Sequence, residues 1–201
     1  MYPAEGAVAE DYPHPAAFRR PKFITGKAKA TGAEAGTAMH ELIQFCDFAA
    51  LAAGPTAEAV RLLAAGFISD EQYAAIDFEK VASFTKSELF SRMSASDELM
   101  REVRFNTLMP AAELLPYVPD TTASEEVLVQ GVIDCVFREG ERYTIVDYKT
   151  DHIGPGEMGT LAQRYAVQLR LYRRAFSQMA KTKDVRTVIY SFALGESVSV
   201  D

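Results

Sequence analysis

The strongest constraint on this chain is a pair of apolar, β-branched runs with a short polar break between them. They are VLVQGVIDCVF at 127–137, REGER at 138–142 and YTIVDYKT at 143–150. Such runs around a Gly-bearing break specify an antiparallel hairpin. If Gly140-Glu141 is a two-residue type II′ turn, with Gly at its first central position, facing residues are those whose numbers sum to 281. Asp134 then faces Asp147, with Cβ atoms about 4.5–5.5 Å apart. Two carboxylates that close, set among Val132, Ile133, Val136, Ile145 and Val146, require a shared proton or a cation. Lys149 lies two residues beyond Asp147, hence on the same face and diagonal to Asp134. A hard divalent ion on oxygen ligands resolves the repulsion and suits phosphodiester hydrolysis, because it acidifies a bound water and polarises the phosphate. The same residues also describe a solvent-facing Asp–Lys–Asp ion-pair patch, and a bulge would slip the register and separate the pair. Spacing alone leaves both readings open.

The rest of the chain sets this hairpin in an α/β layer fold. Residues 1–33, rich in Pro, Gly, Ala and basic side chains, read as an extended arm or connector. Helical spacing over 35–52 runs through Met39, Leu42, Ile43, Cys46, Ala49 and Ala50 and stops at Gly54-Pro55. Shorter helices are predicted near 56–65, 69–79 and 81–92, the second capped by Ser69 or Asp70. From about 99 the period becomes two, with Val103, Phe105 and Thr107 alternating with Arg104 and Asn106 in a strand closed by Pro110. A loop is predicted over 111–126. A helix over 158–181, a strand over 185–194 and a short strand at 197–200 complete the order. With 201 residues, 48% of them apolar, the chain suits one well-buried core, expected over 34–201, with a helical part at about 34–95 and a sheet and helix at about 98–201.

Composition removes several classes of function. Cys46 and Cys135 are far apart and in no metal-ligand spacing, so neither a zinc site nor an iron–sulfur cluster is expected, and both thiols read as buried and inert. No apolar run reaches the roughly 18 residues that span a bilayer, and the first residues lack the pattern of a signal peptide, so a cytoplasmic protein without a membrane partner is expected. No G-x-x-x-x-G-K-[ST] segment is present, so no ATP site is expected in this chain. The formal net charge of −7 disfavours coating of nucleic acid by bulk electrostatics but not cutting it, since metal-holding carboxylates are themselves acidic. Local basic surfaces remain: the helix bearing Arg164, Arg170, Arg173 and Arg174, and the arm bearing Arg19, Arg20, Lys22, Lys27 and Lys29.

Four separated segments, GTAMHELIQ at 36–44, REVRF at 101–105, the hairpin with IVDYKTD ending at 151, and RYAVQLRLYRRAF at 164–176, carry a resemblance in matching order. Together they resemble the RecB-like nuclease domains of the PD-(D/E)XK type, and are most similar to the C-terminal nuclease domain of AddA helicase–nuclease subunits. The resemblance implies a restriction-endonuclease-like core, a mixed central sheet flanked by helices, with an N-terminal helical elaboration. It implies Mg2+, with Mn2+ as a substitute, held by His40, Asp134, Asp147 and the backbone carbonyl of Tyr148, and Lys149 completing the catalytic set. Gln168 and Tyr172, i,i+4 on one helix face, would order the lysine or touch the DNA backbone, with Tyr165 in a related supporting place. Glu102 is a further candidate, through a water or as a structural ion-pair partner. The implied activity is DNA cleavage, on single strands delivered by a helicase domain with an AddB-like subunit, in processing of double-strand breaks. The competing expectation is an inactive module of the same fold that guides DNA or docks another protein. Retention of His40, both Asp and Lys149 together speaks against it.

Overall fold

The computed structural model describes residues 32–114 and 124–200. Its sheet is five-stranded in the order β1 (Glu98–Pro110), β2 (Glu126–Glu139), β3 (Arg142–Lys149), β4 (Val185–Ser191), β5 (Glu196–Ser199). β3 and β4 run parallel and the other neighbours antiparallel, so the sheet is mixed. The crossover between β3 and β4 is a 23-residue helix, Met158–Ala180, long enough to return the chain to the start of a parallel neighbour. The predicted hairpin register is observed from Glu139–Arg142 to Cys135–Val146, but the ladder ends there, one pair short of the expected Asp134–Asp147 pair, where the Tyr148 N–H donates to the Asp134 side chain instead. Gly140 takes φ 61°, the positive value that a type II′ turn requires at its first central position.

Among the described residues six helices precede the sheet: α1 (Gly32–Phe45), α2 (Phe48–Ala53), α3 (Pro55–Ala64), α4 (Asp70–Ala75), α5 (Phe78–Thr85) and α6 (Glu88–Ser94). The helix expected over 35–52 is therefore two. Asp47 breaks it by accepting from the Ala50 N–H as an N-cap, while its own N–H donates to Glu58 Oε1 at 2.7 Å. The helices expected over 69–79 and 81–92 are three, restarted by the caps Asp77 and Ser87. Ser69 caps as expected, in a reciprocal box with Gln72. After β1, the predicted loop opens with a helical turn, α7 (Ala111–Leu114), and the crossover helix is α8. The arm expected over 1–33 lies outside the described residues except for its last two positions, which begin α1. Its basic residues also fall outside them.

The sheet separates two cores. Helices α1–α6 cover one face, where Phe84 meets Phe90, Tyr148, Tyr190 and Phe192 edge-on. α8 covers the other, over Phe105, Ile133, Val136, Ile145 and Ile189. Cys46 and Cys135 are both buried in the first core, and burial pushes both thiols up to about 12, as expected of inert cysteines. No helix among the described residues is long and apolar enough to cross a membrane.

One irregularity interrupts the alternation of side chains. On β1, Leu99 joins the α1–α6 core, whereas Val103 and Phe105 join the α8 core. On β2, Cys135 and Phe137 join the first core and Ile133 joins the second. Residues of one parity thus change face within both strands, at Glu102 and at Asp134. These two stand opposite each other: the β1–β2 ladder pairs Arg101 with Cys135 and Val103 with Ile133 and skips the pair between. Glu102 adopts φ 53°, a left-handed conformation costing about 1–3 kcal/mol in a non-glycine residue. Because both strands shift phase together, the register survives while the pleat does not.

Candidate active site

The broken pleat, the end of the β2–β3 ladder and one turn of α1 meet at a single place. Past the Cys135–Val146 pair the β2–β3 ladder stops, and the Tyr148 N–H donates to Asp134 Oδ2 at 2.9 Å instead of to a strand carbonyl. The Tyr148 carbonyl lies 3.0 Å from His40 Nε2, while His40 Nδ1 lies 3.5 Å from Asp134 Oδ1. His40 and Asp134 therefore close around the backbone of residue 148, one from a helix and the other from a strand. Burial disfavours the charged imidazole, but the Asp134 carboxylate, by hydrogen bond and by charge, outweighs it and raises His40 above its ordinary 6.5.

Asp147 is 1% exposed and points toward α8. Its Oδ2 lies 2.7 Å from Lys149 Nζ, yet has no hydrogen bond of good geometry. Its Oδ1 receives Gln168 Nε2 at 3.4 Å. Burial raises Asp147 to about 6, against the pull of the Lys149 ammonium, and the Asp134 charge adds to the rise. Lys149 also donates to Gln168 Oε1 at 3.4 Å, and Gln168 Nε2 donates to the Tyr172 hydroxyl at 2.7 Å. Gln168 thus supports the lysine and Asp147 at once, and Tyr172 supports Gln168.

Tyr165 lies where the sequence places it, one helical turn before Gln168, and its ring carries Lys149 Nζ at 3.8 Å from the centroid. Such a cation–π contact is worth about 0.5–2 kcal/mol as it becomes desolvated. The Tyr165 hydroxyl donates to Asp151, which also pairs with Arg164 at 2.9 Å. Sequence reasoning misses Asp151, whose one signal is that it closes the IVDYKTD segment. Glu102 lines the same crevice as His40, Asp134 and Tyr148. A wider groove of about 400 Å3 continues from it past Glu102, Thr37 and Gln44 to Gly36 and Thr150.

Of the expected basic surface, Arg164 is engaged with Asp151. Among the described residues, no three His, Cys, Asp or Glu side chains converge closely enough to hold a metal ion as they stand. The donors nevertheless fit a hard cation: carboxylate oxygens, an imidazole nitrogen and a carbonyl oxygen, with one buried carboxylate oxygen of Asp147 lacking a hydrogen bond.

A family model described as the PD-(D/E)XK nuclease superfamily matches residues 16–198. The chain belongs to that superfamily, and its mixed sheet with helices on both faces is that fold. Several bacterial relatives each carry the name of the A-type subunit of an ATP-dependent helicase/nuclease. That of Geobacillus kaustophilus is 39% identical over 198 residues, that of Ruminiclostridium cellulolyticum 34% over 187, and that of Bacillus velezensis 34% over 192. The matches take in 91–92% of this chain but 15% of each relative, so the chain corresponds to a small part of their length.

Proposed function

We propose that residues 34–201 form one nuclease domain that hydrolyses DNA phosphodiesters with a divalent cation, Mg2+ or Mn2+. The observation that carries this reading is the pairing of Lys149 with the buried Asp147, beside Asp134, His40 and the Tyr148 carbonyl at the end of the hairpin ladder. His40, Asp134, Asp147 and the Tyr148 carbonyl would hold the ion, which when bound supplies an acidified water and charge for the phosphate. Asp147 fixes Lys149 at the substrate side of β3. The Lys149 ammonium then orients the attacking water or balances charge building on the phosphate. Gln168 and the Tyr165 ring keep that ammonium in place, so little reorganisation is needed during the reaction. Glu102 lines the approach and, with Asp134, keeps it acidic.

By its likeness to helicase/nuclease subunits, the domain acts in the cytoplasm as part of a larger machine. Single DNA strands delivered by a helicase domain are its substrate, and an AddB-like subunit its partner, in break repair. The test is cleavage of a fluorescent single strand with Mg2+. Wild type degrades the strand, Asp147→Ala does not, and EDTA stops the reaction; equal cleavage by wild type and Asp147→Ala sinks the reading.

A further inference from the structure

α1 carries His40 but has no basic residue in its last turn to satisfy its final carbonyls. That role falls to Arg101, which arrives from β1. Its Nη1 donates to the carbonyls of Ile43 at 3.2 Å, Gln44 at 2.9 Å and Cys46 at 2.7 Å. An Nη1 group has two hydrogens for these three acceptors, so the contact is a shared clasp over the helix end, where a cation is also favoured by the helix dipole. The guanidinium lies 4.6 Å from the Phe48 ring centroid, which fixes its plane against α2. Arg101 immediately precedes Glu102, the residue whose φ of 53° breaks the β1 pleat opposite Asp134. One side chain therefore ties the turn that follows His40 to the strand distortion that aims Asp134.

The other end of α1 is held by close approach. A Cβ on Gly36 would meet Thr150 Oγ1 at 2.7 Å, so the helix lies directly on the end of β3 one turn before His40. Between these two anchors His40 can reach the Tyr148 carbonyl.

From this geometry we infer that Arg101 is a positioning residue for the active site: it sets the distance between His40 and the Asp134–Tyr148 backbone, and so the affinity for the cation. The inference rests on His40 being a ligand only for its metal-binding consequence. The positional part stands on the metal-free structure. It predicts that Arg101→Met, which keeps the stem over Phe48, breaks the His40 to Tyr148 contact, and that Arg101→Lys largely keeps it.

The first measurement needs neither metal nor DNA. In the 15N-histidine-labelled protein, the His40 imidazole, assigned by its loss in His40→Ala, should show a hydrogen-bonded, exchange-protected Nε2–H. That signature should vanish in Arg101→Met and persist in Arg101→Lys and in Glu58→Gln, whose lost carboxylate accepts from the Asp47 N–H and Arg61 rather than from Arg101 or His40. The second is Mn2+ affinity by electron paramagnetic resonance across the Arg101→Met and His40→Ala cycle. Each single variant should weaken binding roughly 10- to 100-fold, as loss of a ligand's support does, and the double variant no more than His40→Ala alone. An unchanged His40 signal in Arg101→Met, or losses that multiply in the double variant, would overturn the inference. Wild-type protein that shows the His40 signature but binds no Mn2+ would refute the nuclease reading and the affinity claim, leaving the positional claim to the first measurement.

Discussion

Adding one methyl at Gly131 should damage the domain measurably. Gly131 pairs with Phe105 across the β1–β2 ladder, and the Phe105 ring lies over the position where a side chain would begin. A Cβ there would sit 2.5 Å from Phe105 Cζ and 2.7 Å from Cε1. Ordinary carbon–carbon contact is about 3.5–4.0 Å, so the ring must retreat by about 1 Å. It cannot do so freely, because Phe105 is 6% exposed and meets Tyr172 edge-on at 5.7 Å. Overpacking of this kind costs about 1–3 kcal/mol. For a domain of this size each kcal/mol lowers Tm by about 2–4 °C, so Gly131→Ala should lower it by roughly 2–12 °C in a thermal melt followed by circular dichroism. Phe105→Leu in the same chain removes the ring atoms that clash, so the double variant should be more stable than the two single losses added together. A Gly131→Ala protein that melts with wild type, or a strictly additive double variant, would refute this packing argument.

Three further outcomes follow from single contacts. Glu58 accepts Arg61 Nε at 2.7 Å and Nη2 at 2.6 Å, and these bonds hold its carboxyl below the ordinary 4.5. A depressed carboxylate stabilises the fold above its unfolded value and ceases to do so as pH falls through the folded one, so the Tm gap between wild type and Glu58→Gln should be full at neutral pH and close below pH 4.5; a constant gap contradicts it. Gly36→Ala should push α1 off Thr150 and depress cleavage by roughly tenfold or more, with Thr150→Ala, which removes the clashing Oγ1, restoring much of it; failure of that rescue in a cleavage time course assigns the defect elsewhere. Tyr165→Phe keeps the ring under Lys149 and should retain most activity, whereas Tyr165→Leu should lose about tenfold in kcat at unchanged Mn2+ affinity, in line with a contact of roughly 0.5–2 kcal/mol; equal kcat in the two variants contradicts the role given to the ring.

The hairpin, and the register that brings Asp134 toward Asp147, are legible in the sequence because both follow from short-range rules, alternation and a Gly-first turn. α8 is legible for the same reason, through an apolar stripe sustained over many turns. The helix breaks at Asp47, Asp77 and Ser87 are not, because each cap sits inside a run whose apolar spacing continues across it, and a side chain's choice to cap is local competition that spacing does not record. The pleat shift is hidden more deeply. Alternation through Val103, Phe105 and Thr107 is correct for that half of β1, but Leu99 and Arg101 run in the opposite phase, and only pairing with β2 reveals that both strands change together. The shift is shared by β1 and β2 and leaves their register intact, whereas the β2–β3 ladder ends at Cys135–Val146, one pair short of Asp134 and Asp147. Arg101 gives no signal at all, since its partners lie 55 to 58 residues earlier and are backbone carbonyls that carry no side-chain signature.

The central claim is that Asp147 serves the cation and Lys149 serves the reaction. Mn2+ titration by electron paramagnetic resonance, run beside Mg2+-driven cleavage of a labelled single strand, separates the two for wild type, Asp147→Ala and Lys149→Ala. Wild type should bind and cut, and Asp147→Ala should do neither. Lys149→Ala should bind Mn2+ while cutting slower by about 100-fold or more, the scale for loss of one electrostatic stabiliser. Near-normal cutting by Lys149→Ala, or cutting by Asp147→Ala, would contradict the account.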